Sequence, residues 1–343
     1  MGQLGRRSDR KGSRLVDRIA VEAVDYHAGG EPFRIVTGRV PPLEGRRILD
    51  KRRFAAERLD HVRRLLVFEP RGHADMYGCF VTEPEDDGAD LGVVFFHNAG
   101  YSTACGHGTI ALVTWALETG VLPADGGDEA RVVVDVPSGR VETVATLSGG
   151  RVRSVRFRNV PSFVHVEGLL AEGLRCDVAF GGAFYASVAS PLPVESRYLP
   201  ELIELGRAVK TALEAKRSFV HPEEPELRDV YGVIFWQRLD PGPPLRQRNV
   251  AIFADGEVDR SPCGSGTSAR LALLDRAGEL PRGEMLVHVS VVGTEFHGRV
   301  VGEAEVGGRV AVVTEVEGSA HRTGRHEFFL EPDDPLGEGF LLR

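Results

Sequence analysis

Two short phrases set the reading of this chain: Ala104-Cys105-Gly106-His107-Gly108-Thr109 and Pro262-Cys263-Gly264-Ser265-Gly266-Thr267. Cys-Gly-x-Gly-Thr recurs 158 positions on, close to half of the 343 residues. Each phrase opens an apolar run, 109–119 before Gly120 and 267–277 before Gly278. Runs of helical length without a polar face predict helices buried on all sides. One such helix per half, reached through the same phrase, reads as a duplicated unit.

Working outward, Ile19, Val21 and Ala23 alternate along a first strand over 18–26, before the turn His27-Ala28-Gly29-Gly30. A second strand is expected over 34–40. Residues 50–66 predict one helix capped by Asp50, with Ala55, Leu59, Val62 and Leu66 on one face. Strands are expected over 91–96, 131–136 and 141–146, the last two joined through Pro137-Ser138-Gly139. The second half predicts strands over 152–159, 177–189, 229–236, 249–254, 286–292 and 309–316, and an amphipathic helix near 199–215. The class is α+β: two similar domains, each a mixed or antiparallel sheet or barrel wrapped around a central helix, with the active site between them. The expected division is a disordered basic tail over 1–17, a first domain over 18–147 joined by a C-terminal strand over 320–343, and a second domain over 148–319.

Composition narrows the function. The chain is 42% hydrophobic and 27% charged with net charge −8, which gives it a sizeable core and argues against nucleic-acid or anionic-membrane partners. The basic block Arg6-Arg7-Ser8-Asp9-Arg10-Lys11 lacks the apolar stretch of a secretory signal and reads as a solvated tail. No run of about 18 apolar residues predicts a membrane span. The four cysteines, at 79, 105, 176 and 263, have no C-x-x-C spacing and form no disulfide framework. They fit a reducing cytoplasm, the expected location.

The physics of the repeated phrase is specific. Its glycines let the backbone turn sharply and approach a ligand closely. The first amides of a helix have no intrahelical acceptor and, with the helix dipole, receive an anion such as a carboxylate. The same field favours thiolate over thiol and predicts a lowered pKa for each cysteine. Two such sites face to face would hold one carboxylate while a sulfur lies on either side of the adjacent carbon. Cys105 and Cys263 are then opposed base and acid, inverting one stereocentre with no metal and no cofactor. Cys79 and Cys176 stand outside the phrase and are assigned no role.

At these residues the chain resembles the proline racemase family, which includes hydroxyproline 2-epimerases and trans-3-hydroxyproline dehydratases. The resemblance runs from about Val24 to Leu342. Besides the cysteine phrases it rests on Asp25-Tyr26-His27-Ala28-Gly29-Gly30-Glu31-Pro32, Phe68-Glu69-Pro70-Arg71-Gly72-His73-Ala74-Asp75-Met76-Tyr77-Gly78, Asn98-Ala99-Gly100-Tyr101, Asp259-Arg260-Ser261, Phe296-His297-Gly298 and Asp333-Asp334-Pro335-Leu336. It implies a diaminopimelate epimerase-like fold and Cys105 and Cys263 as the proton-transfer pair. Gly106 and His107, with Gly264 and Ser265, are implied as the carboxylate cradle, Asp259 as the partner of the substrate's ring nitrogen, and a homodimer as the assembly.

Within the family, the dehydratases typically carry Thr where Cys263 stands. Elimination needs one base at the α-carbon, whereas inversion needs a second acid, so a thiol at both positions favours racemisation or epimerisation. The reading prefers proline as substrate on Asp75-Met76-Tyr77-Gly78, with 4-hydroxyproline epimerisation and trans-3-hydroxy-L-proline dehydration as alternatives. His297 and the small Ala104 fit the epimerases. Phe33, Tyr26 and Ser265 depart from the family's commonest residues, and Phe33 is placed to reshape the pocket.

Rival readings find less support. The eleven histidines include no H-E-x-x-H, and no metal site is expected. His107 beside Cys105 suggests a hydrolase-type nucleophile and base, but that leaves the second phrase unexplained. His27 and His73 are read as local hydrogen-bonding residues. The Gly-x-Gly steps lack the third glycine of a dinucleotide site and the lysine of a P-loop. An extracytoplasmic amino-acid binder would need a secretion signal, which is not seen.

Overall fold

The computed structural model describes residues 19–124, 126–240 and 242–342; the basic tail expected over 1–17 lies outside them. The chain runs through β1 (Ile19–Ala28), β2 (Glu31–Gly38), helices α1 (Ile48–Arg58) and α2 (Asp60–Val67), then β3 (Tyr77–Thr82), β4 (Leu91–His97) and β5 (Gly100–Tyr101). Helix α3 (Gly106–Glu118) follows, then β6 (Glu129–Val136), β7 (Gly139–Ser148) and β8 (Arg151–Arg158). Next come β9 (Phe163–Ala171), β10 (Leu174–Phe180), β11 (Phe184–Ala189), α4 (Leu199–Lys216), β12 (Val230–Asp240), β13 (Leu245–Phe253) and β14 (Glu257–Asp259). Helix α5 (Gly264–Ala277) leads to β15 (Leu286–Val289), β16 (Glu295–Val306), β17 (Arg309–Gly318) and β18 (Ala320–Leu330). The class is α+β, as expected.

Strand pairing repeats the same pattern twice. In the first set β1–β2 is antiparallel, β2–β3 parallel, β3–β4 antiparallel, β4–β6 parallel, and β6–β7–β8 an antiparallel meander. In the second, β10–β11 is antiparallel, β11–β12 parallel, β12–β13 antiparallel, β13–β15 parallel, and β15–β16–β17 an antiparallel meander. The chain's last strand completes the first set, β18 running antiparallel to β1 as β9 does to β10. The two meanders join edge to edge through β8 and β17, Phe157 opposite Val316. Parallel neighbours need a crossover, and in both sets it is helical: α1–α2 or α4 between the first parallel pair, α3 or α5 between the second. Duplication read from two phrases thus extends to every strand.

Each set wraps one central helix. β1, β2, β7, β8 and β18 pack on α3; β9, β10, β11, β16 and β17 pack on α5. All of α3 from Gly106 to Leu117 is buried, as is α5 from Gly264 to Leu274, so neither helix has a solvent face. No helix among the described residues is long and apolar enough to cross a membrane.

Several expected elements differ in extent. The single helix over 50–66 is two, divided at Leu59 (φ −120°), and Asp60 opens the second by pairing with Arg63 at 2.7 Å. Asp50 sits in the third turn position of α1 and bonds back to the Arg47 amide instead of being the N-cap. The strand over 177–189 is broken into β10 and β11 at Gly181-Gly182, because the backbone passes against the first turn of α5. A Cβ on Gly181 would lie 2.3 Å from the Ser265 carbonyl oxygen. The C-terminal strand ends at Leu330, not 343. Strands β3, β9 and β16 and the short β5 and β14 were not foreseen; β16 carries Gly298 and Gly302 among charged residues, which reads as loop when taken alone.

Candidate active site

The seven site residues named from sequence come to one place. Cys105 is the N-cap of α3 and Cys263 the N-cap of α5. Gly106, His107, Gly264, Ser265 and Asp259 line the same cavity as the two thiols. The glycines explain the convergence: a Cβ on Gly106 would lie 2.6 Å from the Gly264 Cα, and one on Gly264 would lie 2.8 Å from the Gly106 Cα. The two helix mouths therefore touch backbone to backbone, with the Phe157 ring 3.0 Å from both hypothetical carbons. Any side chain at either position would force the helices apart.

The two cysteines are held differently. Cys105 is extended (φ −154°), and its sulfur accepts from the Gly108 amide at 3.2 Å. Cys263 adopts φ +62°, a left-handed conformation that costs a non-glycine residue about 1–3 kcal/mol and persists only where its surroundings impose it. Those surroundings are dense. The Cys263 amide donates to Ser261 Oγ at 3.1 Å, and its carbonyl accepts from the Thr267 amide at 2.7 Å. The preceding Pro262 carbonyl accepts from Asn249 Nδ2 at 2.8 Å and from the Thr267 hydroxyl at 3.2 Å.

Electrostatics correct one expectation. Both thiols are pushed well above their ordinary pKa, chiefly by burial, with the Asp259 carboxylate adding to the shift. The Gly108 and Gly266 amides pull the other way, as helix mouths should, but desolvation outweighs them. Asp259 is itself raised to about 6 by burial, against hydrogen bonds from Ser261, whose amide donates at 2.8 Å. Burial lowers His107 to about 3, so its ring is neutral near neutral pH. The Cys105 sulfur lies 3.5 and 3.4 Å from the two ring nitrogens. A neutral, poorly basic imidazole is a weak general base for the hydrolase pair considered above.

Sequence reasoning missed the wall opposite the helix mouths. Tyr77, Tyr185, Tyr231 and Phe253, with Ala104 and Ala251, complete the cavity. Tyr185 bonds Ser265 Oγ at 2.7 Å, and Tyr77 bonds both the Ser102 hydroxyl and, at 3.0 Å, the Tyr231 hydroxyl. Tyr77 stood within a quoted motif; Tyr185 and Tyr231 lie in apolar strands and carried no signal. Phe33 does not line the cavity: it backs the site, with ring contacts to Tyr77 and His107 at 6.2 and 5.6 Å. His297 is on the surface beside Glu295 and does not line the cavity. The cavity has about 10 Å³ free, room for roughly one water. Beyond the Tyr77–Tyr231 bond a cleft of about 760 Å³ begins, sharing Tyr231 as its wall. All four cysteines are free, and no group of three or more His, Cys, Asp or Glu among the described residues is placed to hold a metal.

Comparison with known proteins gives the family. The family profile described as proline racemase matches residues 23–341. The chain belongs to the proline racemase family. Among family members, the trans-3-hydroxy-L-proline dehydratase of Bacillus cereus is 45% identical, over 93% of this chain and 97% of that protein. The 3-hydroxyproline 2-epimerase of Burkholderia multivorans is 46% identical, over 94% and 98%. A hydroxyproline epimerase from Agrobacterium vitis, solved with trans-4-hydroxy-L-proline bound, superposes with a TM-score of 0.87 at 30% identity, covering 94% of this chain and 96% of that one. This proline racemase family member is thus an enzyme with the expected two-helix α+β fold.

Proposed function

We propose that this enzyme inverts the α-carbon of a proline-class ring acid without a cofactor, Cys105 and Cys263 acting as opposed base and acid. The observation that carries the reading is the contact of Gly106 with Gly264, which sets two cysteine-capped helix mouths around one cavity. The substrate carboxylate sits on the amides of Gly106, His107, Gly264 and Ser265, which as first residues of helices have no intrahelical acceptor. Its cationic ring nitrogen pairs with Asp259. One thiolate takes the α-proton, the carboxylate holds the developing charge, and the opposite thiol delivers a proton to the other face. Each turnover therefore exchanges the protonation states of the two sulfurs. Positive charge brought in by the ring nitrogen favours the thiolate that burial opposes.

The relatives' names shift the preferred substrate from proline to a hydroxyproline, since the two sequence relatives described above are named for the 3-hydroxy ring and the solved epimerase holds the 4-hydroxy ring. A second reading is favoured by the Bacillus cereus relative: dehydration of trans-3-hydroxy-L-proline. There one sulfur removes the α-proton and the hydroxyl leaves as water with a proton from the other, giving an enamine that becomes the cyclic imine. A panel of proline, trans-4-hydroxy-L-proline and trans-3-hydroxy-L-proline separates the readings by chiral chromatography and borohydride trapping. We expect a 2-epimer from at least one hydroxyproline and no trapped proline from the 3-hydroxy substrate. Imine as the main product would install the dehydratase instead. The same proposal includes a homodimer, to be read by sedimentation, and a reducing compartment, which four unbridged cysteines support.

Asp259 gives a pH prediction. Its carboxyl ionises near 6 in the free protein, and only the anion pairs with the ring nitrogen. Affinity for a proline-like inhibitor should therefore rise as pH increases through about 6, and the step should vanish in Asp259→Asn; calorimetry from pH 5 to 8 reads both. For stability the sign reverses. A folded pKa raised above the ordinary 3.8 means the native state holds the proton more tightly, so this group's contribution is lost as pH rises from about 4 to about 6.

A further inference from the structure

The least explained group near the site is Glu31. It lies at the β1–β2 turn, is wholly buried, and its Oε1 has no partner among the described residues. Its Oε2 accepts from the Arg260 amide at 2.7 Å and lies 3.5 Å from the Arg260 guanidinium. Burying a carboxylate with one oxygen unpaired is unfavourable, and burial raises its pKa accordingly. Nothing in the local turn requires it, because its contacts reach 229 residues along the chain.

What it reaches is the approach to Cys263. β14 ends at Asp259, so the Arg260 amide lies beyond the sheet ladder. From there the chain runs through Ser261, whose hydroxyl holds the Cys263 amide, into the left-handed φ of Cys263. The turn preceding Glu31 presses on the same stretch: a Cβ on Gly29 would lie 3.2 Å from both Ser261 Cβ and the Pro262 ring. The Thr294 hydroxyl ties the Gly29 carbonyl to the β15–β16 turn at 2.5 Å. Arg260 is held a second time from the first set, by Asp75 at 3.2 Å.

We propose that Glu31 is a positioning residue for Cys263: by accepting the Arg260 amide across the interface, it sets where the second sulfur stands relative to the α-carbon and to Cys105. Glu31 touches no reacting atom. The inference rests on the two-cysteine reading, and it specifies that removing Glu31 disables one sulfur and spares the other.

The test is α-hydrogen exchange in deuterated water, measured separately for the two α-epimers of the fastest substrate in the panel above. Cys105→Ser and Cys263→Ser calibrate it, each abolishing exchange of the epimer whose hydrogen that sulfur removes. Glu31→Ala should reproduce the Cys263→Ser pattern, with exchange through Cys263 falling about 10²-fold, as a misplacement near 1 Å does, and exchange through Cys105 holding within about threefold. Glu31→Gln keeps an acceptor for the Arg260 amide and should recover most of the loss. Glu31→Asp, too short to reach it, should behave as alanine does and serves if alanine prevents folding. Equal losses for both epimers, or glutamine as impaired as alanine, would overturn the proposal while leaving the cysteine assignment intact. Failure of the cysteine variants to separate the epimers would overturn both.

Discussion

Cys105→Ser and Cys263→Ser each lower inversion by at least about 10³-fold in both directions, within the range by which positioned acid–base groups contribute. Serine keeps the shape of the side chain and the acceptor for the Gly108 amide, so both helix mouths survive. It does not keep the acidity. An alcohol buried where even the thiols are pushed up stays protonated as a base and is a poor donor to a carbanion. Loss is expected in both directions from either variant because every inversion uses both faces. The double variant should be little worse than either single one, since groups acting as a unit are not additive. Steady-state kinetics from both epimers check this, and near-normal turnover by either single variant would remove its cysteine from the mechanism.

Gly106→Ala has the second largest expected effect. The new methyl meets the Gly264 backbone at 2.6 Å and the Phe157 ring at 3.0 Å, contacts that a flexible side chain cannot relieve. Relief requires the helix mouths to move apart by several tenths of an ångström. Overpacking of this kind costs about 1–3 kcal/mol of stability. Its cost to catalysis is larger, about 10²-fold or more, because both sulfurs and all four cradle amides ride on those two turns. Gly264→Ala should match it, its methyl lying 2.8 Å from the Gly106 Cα. Gly302→Ala, whose methyl meets Val313 at an ordinary 3.6 Å, is the control and should change neither Tm nor kcat materially.

The helix-mouth half of this architecture was legible in the chain because it is local. A cysteine, two glycines and a threonine before an apolar run specify a helix mouth from nearest neighbours alone, and repetition of the phrase specifies two. Cys105, Gly106, His107, Cys263, Gly264 and Ser265 line one cavity for that reason, and Asp259, implied by the family resemblance, joins them. The opposite wall was not legible. Tyr185 and Tyr231 reach the cavity because β11 and β12 pair in parallel beneath α5, and pairing over that distance leaves no periodic trace. Glu31 was visible only as a motif letter; its partner lies in the other set of strands. Thiol acidity was misjudged for a related reason. Helix-end amides are a local feature, while the burial that outweighs them is a property of the whole packed interface.

Element boundaries divide the same way. The break at Gly181-Gly182 is dictated by the carbonyl of Ser265, more than 80 positions away, and no window over 177–189 contains that information. The full duplication was likewise hidden, since the two sets share pairing order and not residues: α1–α2 occupies the crossover that α4 fills in the second set. Only at the two helix mouths does the sequence itself repeat.

The origin of the α-hydrogen in the first product formed is the most direct measure of two sulfurs working from opposite faces. Each epimer is turned over in deuterated water to a few per cent conversion, and both product and recovered substrate are analysed by mass. Opposed thiols require full α-deuterium in the first product formed, whatever exchange the recovered substrate has undergone. Product that keeps the substrate's own α-hydrogen would contradict the account, because a single group would then have carried it from one face to the other.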